Sequence, residues 1–226
     1  FSGAFTPDLA NAELNKLAFL SQQQIDWGAI YKANQNPFTN SNGEITGYEP
    51  GKSKYILFED RTDDTTVALN SQLHSKITDH IHFNSNVSYN QLYSHNYQNV
   101  VDLLGGSYFE DIDPFYRGDQ AQSDLNHPNR QIRVGDQYGY NYSFLVKELE
   151  GFTQFQFQYK KIDFYLAQEF STTNFQREGF YKNGLYPTTS FGKSANVQFE
   201  NYGFKGGLVL KISGKQLVLL NGYFAT

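Results

Sequence analysis

From Thr65 onwards, apolar residues recur at every second position over runs far longer than the ~5–6 residues of an ordinary strand. Val67, Leu69 and Leu73 fall on one face of the first run, and Ala68, Asn70, Gln72 and His74 on the other. After Thr78-Asp79-His80, the residues Ile81, Phe83, Val87, Tyr89 and Tyr93 alternate with His82, Asn84, Asn86, Ser88 and Asn90. A period of two suits only a strand with one apolar and one polar face, so the pair predicts a β-hairpin.

The pattern returns twice. Phe155, Phe157 and Tyr159 alternate with Gln154, Gln156 and Gln158, and a short turn at Lys160-Lys161 leads to Ile162, Phe164, Leu166 and Phe170. Tyr202, Phe204, Leu208, Leu210 and Ile212 are followed by a turn at Ser213-Gly214-Lys215 and the run Leu217 to Phe224. Tight turns near 78, 160 and 214 therefore alternate with long connections, about 98–137 and 180–193. Short turns at one end and long loops at the other are the plan of an outer-membrane barrel. A soluble β-sandwich has hairpins too, but its strands are short.

Composition agrees with strands that need no charged exterior. Charged residues make up 18% and hydrophobic ones 39%, while aromatics reach 17% and Asn and Gln together number 38. A net charge of -5 leaves no basic stripe for a nucleic acid. With no cysteine there is neither a disulfide framework nor a thiolate site. A membrane-crossing helix needs ~20 successive apolar residues, which no run supplies, whereas a spanning strand needs only ~9–11 with alternate ones facing lipid. The chain contains no methionine, begins at Phe1 and ends on Ala225-Thr226 within an alternating run, so it is expected to be an internal piece of a longer protein.

Aromatics such as Tyr89, Tyr93, Tyr202 and Phe204 fall where an interfacial girdle would sit, although aromatics also favour strands in general. The polar face would line a wet lumen or meet a plug. Before Gly51 the period changes: Leu14, Leu17, Ala18 and Phe19 recur at helical spacing, Pro7-Asp8 is a candidate start, and the helix would extend toward Trp27 and Tyr31. Asn36-Pro37 and Ser41-Asn42-Gly43 read as loop and turn before a first long strand near Lys54. Residues 1–50 are thus expected to form an extracellular loop with a short helix, and residues 51–226 barrel strands, turns and loops.

Few side chains point to chemistry. His80 and His82 form a same-face pair at strand spacing, but no third ligand is evident, and a polar lumen-facing role is favoured over a metal. Glu110-Asp111-Ile112-Asp113-Pro114, with Asp119 and Asp124, offers hard oxygens without the spacing of a calcium loop, and solvated loop charge is favoured. No nucleophile elbow, phosphate loop or metalloprotease helix occurs, so no catalytic residue, metal ligand or cofactor is assigned and an enzyme is not expected. The segment Asn99 to Tyr138 mixes Tyr108, Phe109, Phe115 and Tyr116 with Arg117, Arg130 and Arg133. It suits either a recognition surface or a loop that packs on its neighbours and closes the mouth.

Several stretches resemble a family, the TonB-dependent outer-membrane receptors of the Bacteroidetes type. They are Gln24-Ile25-Asp26-Trp27, the run YILFEDRTDD from Tyr55, DLLGG from Asp102, QREGFYKNG from Gln176 and FENYGFKGG from Phe199. The resemblance implies a 22-stranded barrel in the bacterial outer membrane, with about six antiparallel strands present here. It also implies a plug and the remaining strands of the same protein, surrounding lipid, a TonB complex that supplies energy, and an associated surface lipoprotein. The function expected on this reading is capture of an extracellular ligand and its import. Trp27, Tyr108, Tyr116, Arg117, Tyr181 and Tyr186 are the expected contact residues, being aromatic or cationic in loops that face outward. The rival readings are a passive porin or structural barrel, and a soluble all-β carbohydrate-binding module.

Overall fold

A computed structural model describes residues 9–21 and 24–226. The expected helix start at Pro7-Asp8 lies outside these residues. The described chain is all-β, dominated by antiparallel strands with two short helices, and divides into two compact units.

One unit takes in the N-terminal segment to Leu57 together with Val101–Glu110. Its helices are α1 (Leu9–Ser21) and α2 (Trp27–Ala33). The helical spacing therefore yields two helices instead of one extended helix, because Asp26 starts the second by accepting a hydrogen bond from the Ala29 N–H at 2.9 Å. The strands β1 (Gln35–Thr39) and β2 (Ile45–Pro50) form an antiparallel hairpin. Asn36-Pro37, expected as loop, lies inside β1; proline is tolerated there because the two-stranded sheet leaves an outer edge free of ladder bonds. The turn at Ser41-Asn42-Gly43 forms as expected, with the Asn40 carbonyl side chain accepting from the Asn42 and Glu44 N–H groups at 3.0 Å each.

Asn34, at the end of α2, is fully buried. Its Nδ2 donates to the carbonyls of Tyr55 at 2.7 Å, Leu103 at 2.8 Å and Leu104 at 3.1 Å. Its Oδ1 accepts from the N–H groups of Lys54 at 2.7 Å and Tyr55 at 3.0 Å. One side chain at the helix end thus satisfies backbone groups of residues 54–55 and the carbonyls of 103–104. The first long strand begins at Leu57 and not near Lys54, because the amides of Lys54 and Tyr55 are taken by Asn34 instead of by a neighbouring strand.

β3 (Leu57–Lys76) and β4 (Ile81–Asp102) lead into the second unit, which comprises Phe58–Val100 and Asp111–Thr226. The two-residue strands β5 (Phe109–Glu110) and β6 (Gln131–Ile132) lie on the way to β7 (Gln137–Gln158) and β8 (Ile162–Gly179). After the short β9 (Gly192–Lys193), which pairs with the end of β8, come β10 (Val197–Ser213) and β11 (Gln216–Ala225). The long sheet runs β11-β10-β8-β7-β4-β3, so the three expected hairpins and their tight turns are present. The order has two ends, β3 and β11, and the described residues form an open sheet.

Register carries the amphipathic pattern across the strands. Ile81 pairs with Phe157, Phe157 with Phe164, Phe164 with Leu208 and Leu208 with Leu220, giving an apolar row over five strands. Its neighbour on the opposite face is His82, Gln156, Tyr165, Gly207 and Asn221. Aromatic contacts stitch the apolar face, with ring centroids 4.4 Å apart for Phe157 and Phe164 and 4.8 Å for Phe83 and Phe155. His80 falls in the turn before β4 and not on a strand face. Its Nδ1 lies 2.9 Å from the Gln158 carbonyl, and its ring stacks on Tyr159, so the expected same-face pair with His82 does not form.

Asn34→Ala is expected to strand several buried backbone groups and destabilise the first unit by about 2–4 kcal/mol. Hydrogen exchange would show faster opening at residues 51–57 and 101–106 while the long sheet keeps its protection.

Candidate functional site

The long connections of the second unit carry the candidate site, and buried carboxylates hold them in place. Asp111 is 3% exposed. Its Oδ2 accepts from Arg130 Nη2 at 2.6 Å, and its Oδ1 accepts from the Gly139 N–H at 2.9 Å. The same Arg130 nitrogen donates to the Gln137 carbonyl at 2.7 Å and to the Tyr181 hydroxyl at 3.0 Å. Its guanidinium carbon lies 4.7 Å from the Tyr181 ring centroid, and the Tyr181 hydroxyl in turn donates to the Gln137 carbonyl at 2.9 Å. Burial alone would push the Arg130 guanidinium down, but the bonds to Tyr181 and Asp111 outweigh it and raise its pKa.

A second staple is built on Asp124, 4% exposed. Its Oδ1 accepts from the N–H groups of Lys182 at 3.0 Å and Asn126 at 3.1 Å, and its Oδ2 accepts from His127 Nδ1 at 2.8 Å. The Leu125 N–H adds a bond to the Lys182 carbonyl at 2.7 Å, and the Gly184 N–H one to the Gln122 carbonyl at 2.9 Å. Gly184 is required at this crossing, since a Cβ there would collide with the Asp119 carbonyl. Two of the acidic side chains expected as solvated charge are therefore buried structural acceptors. Among the described residues no cluster of His, Asp or Glu can hold a metal.

This framework presents a tip. Asp113 Oδ1 accepts from the Phe115 N–H at 2.9 Å, and the Asp113 N–H donates to the Ala121 carbonyl at 2.7 Å, closing a turn that ends in a short 3-10 helix, Gly118–Ala121. Gln122 and Asn129 exchange two bonds behind it, at 2.9 and 2.7 Å. Phe115 stands 90% exposed at the head of the turn, followed by exposed Tyr116 and Arg117. Gly184 packs on the Asp119–Gln120 backbone, which brings the loop of Tyr186, 64% exposed, to the same helix.

The six expected contact residues separate accordingly. Tyr116, Arg117 and Tyr186 lie on adjoining exposed loops, and Tyr181 is half-buried beneath Arg130. Trp27 and Tyr108 belong to the other unit: Trp27 opens α2 and is exposed, while Tyr108 is half-buried, its carbonyl accepting from the Ser53 N–H at 2.7 Å. Phe115 was not among the six, though its place directly after Asp113-Pro114 marks a turn tip in the sequence. The segment packs firmly on its neighbour and also exposes aromatic and cationic groups.

Below the loops, the polar face of the sheet is cross-linked by side chains. Ser88 donates to Glu150 at 3.0 Å and Asn201 to Ser171 at 3.1 Å. Tyr223 on β11 donates to Glu169 on β8 at 2.8 Å, reaching across β10 where Gly203 leaves room. No protein-family profile matches the chain, and no curated protein aligns with it significantly.

Arg130→Met is expected to leave the Asp111 carboxylate buried without its cation, at a cost of about 3 kcal/mol. Limited proteolysis should then cut within residues 111–137. The double variant with Asp111→Asn should recover part of the loss.

Asp124 also makes the staple pH-dependent. Burial by itself would push its carboxyl up, but the bonds from His127 and from the Lys182 and Asn126 N–H groups outweigh it and hold the carboxyl below the usual range. A depressed folded pKa contributes stability above the carboxyl's unfolded value and loses it as pH falls through the folded one. The loops should therefore loosen as pH falls below about 4, the carboxyl's ordinary unfolded value, followed by hydrogen exchange at Lys182 and Asn126. In Asp124→Asn that pH step should vanish.

Proposed function

We propose that the chain forms part of the wall and the outer mouth of a bacterial outer-membrane transporter of the TonB-dependent type, which captures an extracellular ligand and imports it. The observation that carries the membrane part is the slant of the apolar band. On β4 the band runs from Ile81 to Tyr93, and on β10 from Ile212 to Tyr202, while the register partner of the Ile81 row on β10 is Leu208. Its midpoint therefore shifts toward the tight turns by about five residues, roughly 16 Å, over three strand spacings or roughly 14 Å, a slant of about 45°. Strands tilted by roughly 35–45° in a barrel are crossed at such an angle by a horizontal layer of hydrocarbon.

An open sheet cannot stand alone in lipid, because unpaired edge amides would have no partner. On this reading β3 and β11 are continued by the remaining strands of the same protein, the polar face meets a plug, and lipid covers the apolar face. Ligand capture falls to the stapled loops and the tip at Phe115, Tyr116 and Arg117. The TonB complex and a surface lipoprotein enter as partners through the family resemblance of stretches such as QREGFYKNG from Gln176.

Single cysteines in the full-length protein test this, since the present stretch has none of its own. In outer-membrane preparations, Leu149→Cys, Leu166→Cys and Leu208→Cys should resist a water-soluble maleimide, whereas Gln154→Cys and Asn201→Cys should react. Phe115→Cys should react on intact cells. Equal labelling of both faces, or a full-length product in the soluble fraction, would overturn the proposal and favour a soluble module.

A further inference from the structure

Two shallow grooves cross the apolar face of the long sheet. The larger, about 560 Å³, is floored by Gly206 and Gly222, register partners on β10 and β11, and walled by Phe155, Leu166, Phe204 and Phe224. The smaller, about 350 Å³, is floored by Gly151 and walled by Val87, Phe170 and Tyr202. They exist because glycine leaves the pleat bare. A Cβ at Gly151 or Gly222 would meet no atom within 4 Å, and one at Gly206 would make only ordinary contact with Leu166 at 3.5 Å.

Thr153 and Gln168 line both grooves. With Ser85 they form one register row, Ser85 to Thr153 to Gln168, inside the apolar band: Phe83 and Val87 flank it on β4, and Leu166 and Phe170 on β8. Gln168 is exposed, and neither its amide nor the Thr153 hydroxyl makes a side-chain hydrogen bond among the described residues. Water would satisfy them on a soluble surface; hydrocarbon cannot. If this face meets lipid, as proposed above, an occupant that brings a hydrogen-bonding group to that depth, with hydrocarbon on either side of it, would satisfy them.

We propose that the two grooves and the polar row between them bind a lipid acyl chain that carries a hydroxyl along its length. Hydrocarbon lies in each groove, and the hydroxyl meets the Gln168 amide and the Thr153 hydroxyl. Each groove is floored by glycine between aromatic and aliphatic walls, a shape that suits a single flexible chain. The combined space falls within the ~300–1,000 Å³ typical of small-ligand sites.

The inference rests on the outer-membrane reading, so the test scores that reading separately. The full-length protein is reconstituted in phosphatidylethanolamine nanodiscs containing, in equal amounts, a hydroxystearoyl and a plain stearoyl phospholipid. Folding is checked by heat-modifiable migration, and lipids retained after gentle release are counted by native mass spectrometry. The wild type should favour the hydroxylated lipid by roughly threefold to tenfold, the range one hydrogen bond in hydrocarbon provides. Gln168→Leu should lose the preference while still retaining lipid, and Gly222→Leu, which fills the larger groove, should retain neither. Equal retention of both lipids by the wild type, unchanged selectivity in Gln168→Leu, or a dimer mass that Gln168→Leu abolishes would each overturn the lipid site while the folded band leaves the barrel intact. A protein that stays soluble and enters no nanodisc would remove both readings.

Discussion

Everything in the long sheet depends on backbone pairing kept in register from β4 to β11. Because side chains alternate with a period of two, a one-residue slip at any hairpin would carry that strand's phenylalanines to the polar face and its glutamines to the other. The tight turns prevent this. Closures near Lys160 and Gly214 pair Phe157 with Phe164 and Leu208 with Leu220, and the pairings of β4 with β7 and of β8 with β10, made across the long connections, join these to Ile81 in one apolar row. The ladder departs from regularity at Tyr97 and Gln98, where the register shifts just before the strands give way to the long connection.

The loops have no ladder of that length, and buried polar side chains replace it. Asn34 in the first unit, and Asp111 and Asp124 in the second, each sit almost out of solvent and each gather backbone amides or carbonyls from segments distant in sequence. A buried acceptor left unmet is costly, so each such residue has essentially one arrangement in which its lone pairs are satisfied. That uniqueness lets a connection of more than thirty residues present Phe115, Tyr116 and Arg117 on a defined turn.

Glycine does opposite work on the two faces of β10. On the polar face, Gly203 and Gly207 leave space that the β8 side chains Glu169 and Tyr165 occupy as they reach toward Tyr223 and Asn221. On the apolar face, Gly206 stands beside Gly222 and the space stays open. The difference lies in the neighbours: long polar side chains fold over one pair, while the aromatic and leucine side chains beside the other stand as walls.

By itself the sequence determined the local geometry. Alternation in runs such as Ile81 to Tyr93 and Phe155 to Phe170 compels strands, Gly214 and the Thr78-Asp79-His80 cluster compel turns, and together they specify three hairpins and which residues share a face, because those properties depend on neighbours one or two positions away. Only the tertiary structure decided what depends on residues far apart. It turned Asp111 and Asp124 from surface charge into buried anchors, set the His80 ring against the Gln158 carbonyl and Tyr159, drew Lys54 and Tyr55 out of the first strand toward Asn34, and assigned Tyr181 to the support of Arg130. In each case a hydrogen-bonding group is claimed by a partner tens of residues away, and no period in the sequence encodes that distance.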